Sequence, residues 1–290
     1  MITNEPSTQQ TPLPTEPAGL PEQYVDNTIQ TLASAPTNGR WYDWFKLAKA
    51  FMLWVGSILL LVAVQLVVVL PYLIYLRATT GELNLAILES DKIAAFLQII
   101  AVLPSHLLTL GLIWLIVTEG RKYPFWKAVG FEWPENSRPA MVVLTSAGIA
   151  VVLLVLGGLA TWRWGGSKTQ IDLLVESSVA ARIATAFVAT FTAPLVEELI
   201  YRGVFYSALE RTLGAVIGVL VVSLLFAGVH VFQYKDNLAV IAVITLLSFT
   251  LTIVRAYTGK VLPSFIIHLV FNGIQGIIIA LSPFINWGSN

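Results

Sequence analysis

Two adjacent carboxylates stand inside an otherwise apolar run, Thr192-Ala-Pro-Leu-Val-Glu-Glu-Leu-Ile-Tyr-Arg202. Of the twelve glutamates, only Glu197 and Glu198 sit well within such a run, and all five aspartates fall in the N-terminal tail or in connections. A charge at a bilayer centre costs about 3 kcal/mol even on lenient scales, so charges kept there are functional candidates by default. Glu198 and Arg202 are four residues apart, which stacks them on one helix face and predicts a pair. Glu197 is turned about 100° away and stays available for other work. Beside a second carboxylate and away from bulk water, it suits a general base. The rival reading of this motif is an ion-pair cluster that locks helices together.

All three histidines also fall in apolar runs. His230 closes Phe226-Ala-Gly-Val-His230, and His268 opens His268-Leu-Val-Phe-Asn272, whose four-residue step stacks imidazole over amide. His106, in Pro104-Ser-His106, lacks such company, and the expected role for a lone membrane histidine is a hydrogen bond to a neighbouring helix.

Several hydrolytic chemistries are excluded by residue type. The chain has no cysteine, which removes disulfides, thiolate ligands and a cysteine nucleophile together. There is no Gly-x-Ser-x-Gly pentapeptide, no pair of membrane aspartates, and no His followed by Glu as a His-Glu-x-x-His zinc site requires. A glutamate and histidine site can still work in two ways. Glu197, His230 and His268 could hold a divalent metal such as zinc with a position open for water. Alternatively, Glu197 and His230 could activate water directly while His268 and Asn272 donate to a developing oxyanion. Asn272 favours the second, because a neutral amide is a poor zinc ligand and a good oxyanion donor.

These residues need helices in lipid to position them. The chain is 56% hydrophobic and 12% charged, with a mean hydropathy of +0.76, about half the charge of an average soluble domain. Net charge is zero without a basic stripe, which gives no footprint for nucleic acid. A span needs about 20 mostly apolar residues. Seven stretches qualify, near 47 to 76, 92 to 118, 139 to 161, 181 to 209, 213 to 232, 238 to 254 and 260 to 282, within a range of six to eight. Pro71 and Pro194 are candidate kink points in the first and fourth. Tryptophans collect at the borders, including Trp44, Trp126, Trp133, Trp162 and Trp164, as interfacial belts do.

The reading is therefore an all-α, multi-pass integral membrane protein with an intramembrane polar site. Residues 1 to 43 form a polar, disordered tail, 44 to 180 the N-terminal transmembrane helices, and 181 to 284 a catalytic helical core. Lys and Arg are more numerous on the side of the N-terminus, which places it in the cytoplasm. At about 1.5 Å per residue, Glu197, His230, His268 and Asn272 lie roughly 12 to 25 Å deep, within the middle band of the bilayer.

The series Glu197-Glu198-x-x-x-Arg202, Phe226-x-x-x-His230 and His268-x-x-x-Asn272, in that order on three apolar segments, resembles the CPBP family of intramembrane proteases. That family includes the CAAX prenyl endopeptidases and the bacteriocin-immunity (Abi) proteins. The resemblance covers about 185 to 280 and includes Ala193-Pro-Leu-Val-Glu-Glu and Leu262-Pro-Ser-Phe-Ile-Ile-His. It implies an endopeptidase acting on a membrane-anchored peptide or protein, prenylated for some relatives. Glu197 would be the base on water, His230 its assistant, and His268 and Asn272 the oxyanion donors. Relatives were first classed as metalloproteases, so a divalent metal is one implied cofactor. The bilayer is the implied surrounding, a plasma membrane if the source is bacterial. Competing readings are a non-catalytic immunity or scaffold protein and a proton-coupled transporter.

Overall fold

The computed structural model describes residues 40–81, 91–165 and 168–284. The tail expected over 1 to 43 lies outside them up to position 39. Every regular element among the described residues is a helix. In chain order these are α1 (Arg40–Thr80), α2 (Lys92–Thr118), the single turn α3 (Phe125–Ala128), α4 (Pro139–Trp164), α5 (Gln170–Ser177), α6 (Val179–Leu213), α7 (Ala215–Tyr234), α8 (Leu238–Thr258) and α9 (Leu262–Leu281). α1 begins at Arg40, so the last residues assigned to the tail form its first turn.

Six of these helices, α1, α2, α4, α6, α8 and α9, are long and apolar enough to cross a membrane. The seventh apolar stretch is helical as well, as the 20-residue α7, Ala215–Tyr234. The segments read from hydropathy thus coincide with helices, and the chain is an all-α integral membrane protein. Outward faces carry large apolar side chains, among them Leu66, Val67, Leu107, Leu144, Val152 and Leu224. In lipid this arrangement needs no polar cover, because each helix satisfies its own backbone. At 41 residues α1 is about 60 Å long. That is twice a hydrocarbon core of about 30 Å. Pro71 is accommodated inside α1 without a break in the helix.

Helix ends are set by local chemistry. Asp91 caps α2 by accepting from the amides of Ile93 and Ala94, both at 2.8 Å, and also accepts from Tyr72 Oη at 3.0 Å, which ties α1 to α2. Thr169 and Asp172 close a reciprocal capping box on α5. The α8 to α9 turn passes through Gly259 at φ +68°, a left-handed conformation that favours glycine. The same turn is pinned to the loop after α3 by Val261 N–H donating to Gly130 O at 2.8 Å and by Lys260 Nζ at 3.0 Å from Glu132 Oε2.

α6 packs against α2, α7 and α9, and α8 packs against α4, α7 and α9. The main core gathers Leu199, Tyr206, Val222, Phe226 and Ile113 from α6, α7 and α2. A second cluster, around Leu251, Ile267 and Phe271, joins α8 to α9. These contacts bring the carboxylate helix α6 against α9, which carries His268 and Asn272.

Candidate active site

α6 is not a uniform α-helix. It widens into π-helical turns at Val188–Thr192 and Leu199–Phe205, on either side of the α-helical Ala193–Glu198. Pro194 accounts for the first. It lacks an N–H, and its ring collides with the carbonyl four residues back unless the turn opens. The Ala193 amide accordingly reaches back five residues to Val188 O. In the second wide turn the Tyr206 amide reaches Tyr201 O in the same way. The two glutamates therefore sit on a short regular segment whose facing is set by a wide turn on each side.

Glu198 is fully buried. Arg202 Nη1 donates to its Oε1 at 3.0 Å, and both side chains are 0% exposed. This is the pairing that the four-residue spacing predicts. The rest of the guanidinium is satisfied by α8: Nε donates to Thr252 Oγ1 at 3.2 Å, and Nη2 donates to Ser248 O at 3.1 Å and Ser248 Oγ at 2.9 Å. Its face lies 4.7 Å from the centre of the Phe226 ring, a cation–π contact. A charge pair held by further hydrogen bonds is the form in which buried ions are tolerated, and here Glu198 Oε2 is the one oxygen of the pair left buried without a hydrogen-bond partner.

His268 joins the same carboxylate, its Nδ1 donating to Glu198 Oε1 at 3.0 Å. That bond fixes the ring, so Nε2 points at Glu197, 3.7 Å from its Oε2. The Glu197 side chain is 24% exposed against 3% for His268, so one carboxylate anchors while its neighbour opens to the surroundings. Spacing alone assigned Glu198 to Arg202; the packed structure adds that Glu198 also orients His268.

His230 Nδ1 lies 2.8 Å from Phe226 O. A carbonyl only accepts, so Nδ1 carries a proton, and in the neutral ring Nε2 presents a lone pair. Among the described residues His268 is the histidine within ion-pair reach of Glu197; His230 is not. Phe226, four residues before His230, forms the apolar wall they share, its ring centroid 4.8 Å from His230 and 6.0 Å from His268. Asn272, stacked above His268, donates from Nδ2 to Ala189 O at 2.9 Å. His106 takes the part expected of a lone histidine. Thr192 Oγ1 donates to Val188 O and so accepts from His106 Nδ1 at 3.0 Å, tying α2 to the first wide turn.

Among the described residues, no three His, Asp or Glu side chains come close enough to share a metal ion. Glu197, His230 and His268 do not form a cage as they stand.

Several supporting residues were not assigned from sequence. Ser248, Thr252 and Arg255 form a polar stripe at i, i+4 and i+7 of an apolar helix. That spacing was a readable sign of a buried polar partner. Arg255 Nε donates to Arg202 O at 3.2 Å and its Nη2 to Ser207 Oγ at 3.0 Å. Trp54, on α1, donates to Tyr201 Oη at 2.9 Å and had no such signal.

Residues 179–274 match a family model described as type II CAAX prenyl endopeptidase Rce1-like. That match agrees with the CPBP resemblance, and the family it describes is one of membrane-embedded endopeptidases. The matched segment is about a third of the chain. It opens at the first residue of α6 and closes just past Asn272, so the matched segment contains Glu197, Glu198, Arg202, His230, His268 and Asn272. Helices α1 to α5 lie before it, and they supply Trp54 and His106. No curated protein and no solved structure matches the chain.

Proposed function

We propose that the chain is an intramembrane endopeptidase that hydrolyses a peptide bond of a membrane-anchored substrate, with Glu197 as the base on water. The observation that carries this reading is the division of labour between adjacent carboxylates. Glu198 is sealed between Arg202 and His268, while Glu197 is open and faces His268 Nε2 at 3.7 Å. A packing cluster accounts for Glu198 and Arg202 but gives no reason for a second, part-exposed glutamate beside them.

The chemistry follows from these positions. Glu197 takes a proton from water as the water oxygen bonds to the scissile carbonyl carbon. His230 Nε2, with its lone pair available, is the second acceptor that holds that water. His268, carrying a proton on Nε2, is a donor to the oxyanion. Asn272 has a second N–H beyond the one given to Ala189, and offers it to the same oxygen. On collapse of the tetrahedral intermediate the C–N bond breaks, and the proton held by Glu197 passes to the leaving amine.

The domain match supports a CAAX-type, prenylated substrate as one to test. The excess of Lys and Arg on the N-terminal side supports a cytoplasmic N-terminus, in a bacterial plasma membrane if the source is bacterial. The test compares the termini of membrane peptides in cells with wild-type protein and with Glu197→Ala, with and without chelator. New termini should vanish with Glu197→Ala and persist with chelator. Full retention of cleavage by a normally folded Glu197→Ala protein would overturn the proposal.

A further inference from the structure

In an α-helix the carbonyl of Ala189 would accept from the amide of Ala193. Here that amide is given to Val188 O instead. In the wider register the next donor for Ala189 O is residue 194, which is proline and has no N–H. Ala189 O thereby loses both the regular and the wide-turn backbone donor, and Asn272 Nδ2 donates to it at 2.9 Å. An unpartnered carbonyl in a membrane interior is costly enough to hold whatever donor reaches it. Two glycines let α9 come close enough. A Cβ at Gly273 would touch Thr190 Cγ2 at 3.6 Å, and one at Gly276 would collide with Thr190 Oγ1.

We propose that Pro194 is a positioning residue. By stripping Ala189 O of its donor it creates the acceptor that fixes the Asn272 carboxamide, so that the second N–H is held toward the reacting carbonyl beside His268. This deepens the protease reading and rests on it.

A stability and activity cycle with Asn272→Ala, Pro194→Ala and the double variant tests it in detergent micelles. Pro194→Ala puts an N–H where the wide turn can use it. Asn272→Ala should lower the unfolding midpoint by about 2 to 4 °C or more and kcat by about 100-fold with KM little changed. The double variant should regain the midpoint, because Ala189 O has a backbone donor again, but not kcat. Pro194→Ala alone should keep the midpoint and lower kcat, since Asn272 is released.

Recovery of kcat together with the midpoint would overturn the proposal by making Asn272 purely structural. A double variant that stays destabilised would overturn the link to Pro194. Pro194→Ser serves where the alanine variant is not recovered, and failure of both to fold counts against the proposal. A wild type that cleaves nothing while the midpoints follow the cycle would overturn the protease reading and support the Pro194 and Asn272 coupling.

Discussion

Glu198→Gln removes one charge from the sealed pair while keeping its shape. Arg202 then retains Thr252, both Ser248 acceptors and the Phe226 face, but its positive charge is left in a site with 0% exposure. Breaking one side of such a pair costs about 3 to 5 kcal/mol. The three remaining hydrogen bonds and the ring contact place this case near the lower end, about 3 kcal/mol. Replacing both partners, as Glu198→Leu with Arg202→Met, removes the uncompensated charge, so the double variant should regain most of the loss, with a cost of about 1 kcal/mol left for the buried His268 N–H that has lost its acceptor. It should nevertheless be inactive, because His268 Nδ1 has lost the acceptor that aims Nε2 at Glu197. Unfolding in mixed micelles by SDS titration, followed by tryptophan fluorescence, measures both; the chain has nine tryptophans and no cysteine for a thiol dye. A Glu198→Gln protein as stable as wild type would refute the reasoning, since it would mean that the pair is hydrated. A double variant as unstable as the single would refute it equally.

Gly276→Ala should force α9 away from Thr190 on the wide turn, costing about 1 to 3 kcal/mol by overpacking and lowering kcat with it; SDS unfolding and a cleavage assay check the two together. Arg255→Met removes the donor to Arg202 O and to Ser207, and should cost about 1 to 3 kcal/mol for a buried acceptor left alone. His106→Ala should lose only the bond to Thr192, about 1 kcal/mol, with cleavage rates within about threefold of wild type. A loss near that of Glu197→Ala would instead place His106 in the chemistry.

Much of this was legible in the residues alone. Composition settled the solvent, because a chain this apolar has too few charges to cover a water-facing surface. Runs of about 20 apolar residues marked the helices for the same reason. The four-residue steps also carried over. Glu198 with Arg202, and His268 with Asn272, lie on shared faces because the helical repeat is a local property of the backbone.

Tertiary structure decided the partners. Periodicity says which residues share a face, but not which helix that face meets or at what depth. The meeting of Glu198 with His268, seventy residues away, depends on how α9 crosses α6. The wide turns add a second obstacle, because each inserts extra backbone and rotates the following face by an amount that a 3.6-residue count does not include. For that reason Glu197 was matched to His230 on chemistry, whereas the folded chain brings His268 to it. The donor to Ala189 O also depends on distant backbone, since it exists only where α9 reaches the turn opened by Pro194. Sequence by itself determined which side chains are available for chemistry and that they lie in lipid. The packing of α6, α8 and α9 determined which of two identical carboxylates is sealed and which is open, because burial and charge pairing are properties of the assembled helices.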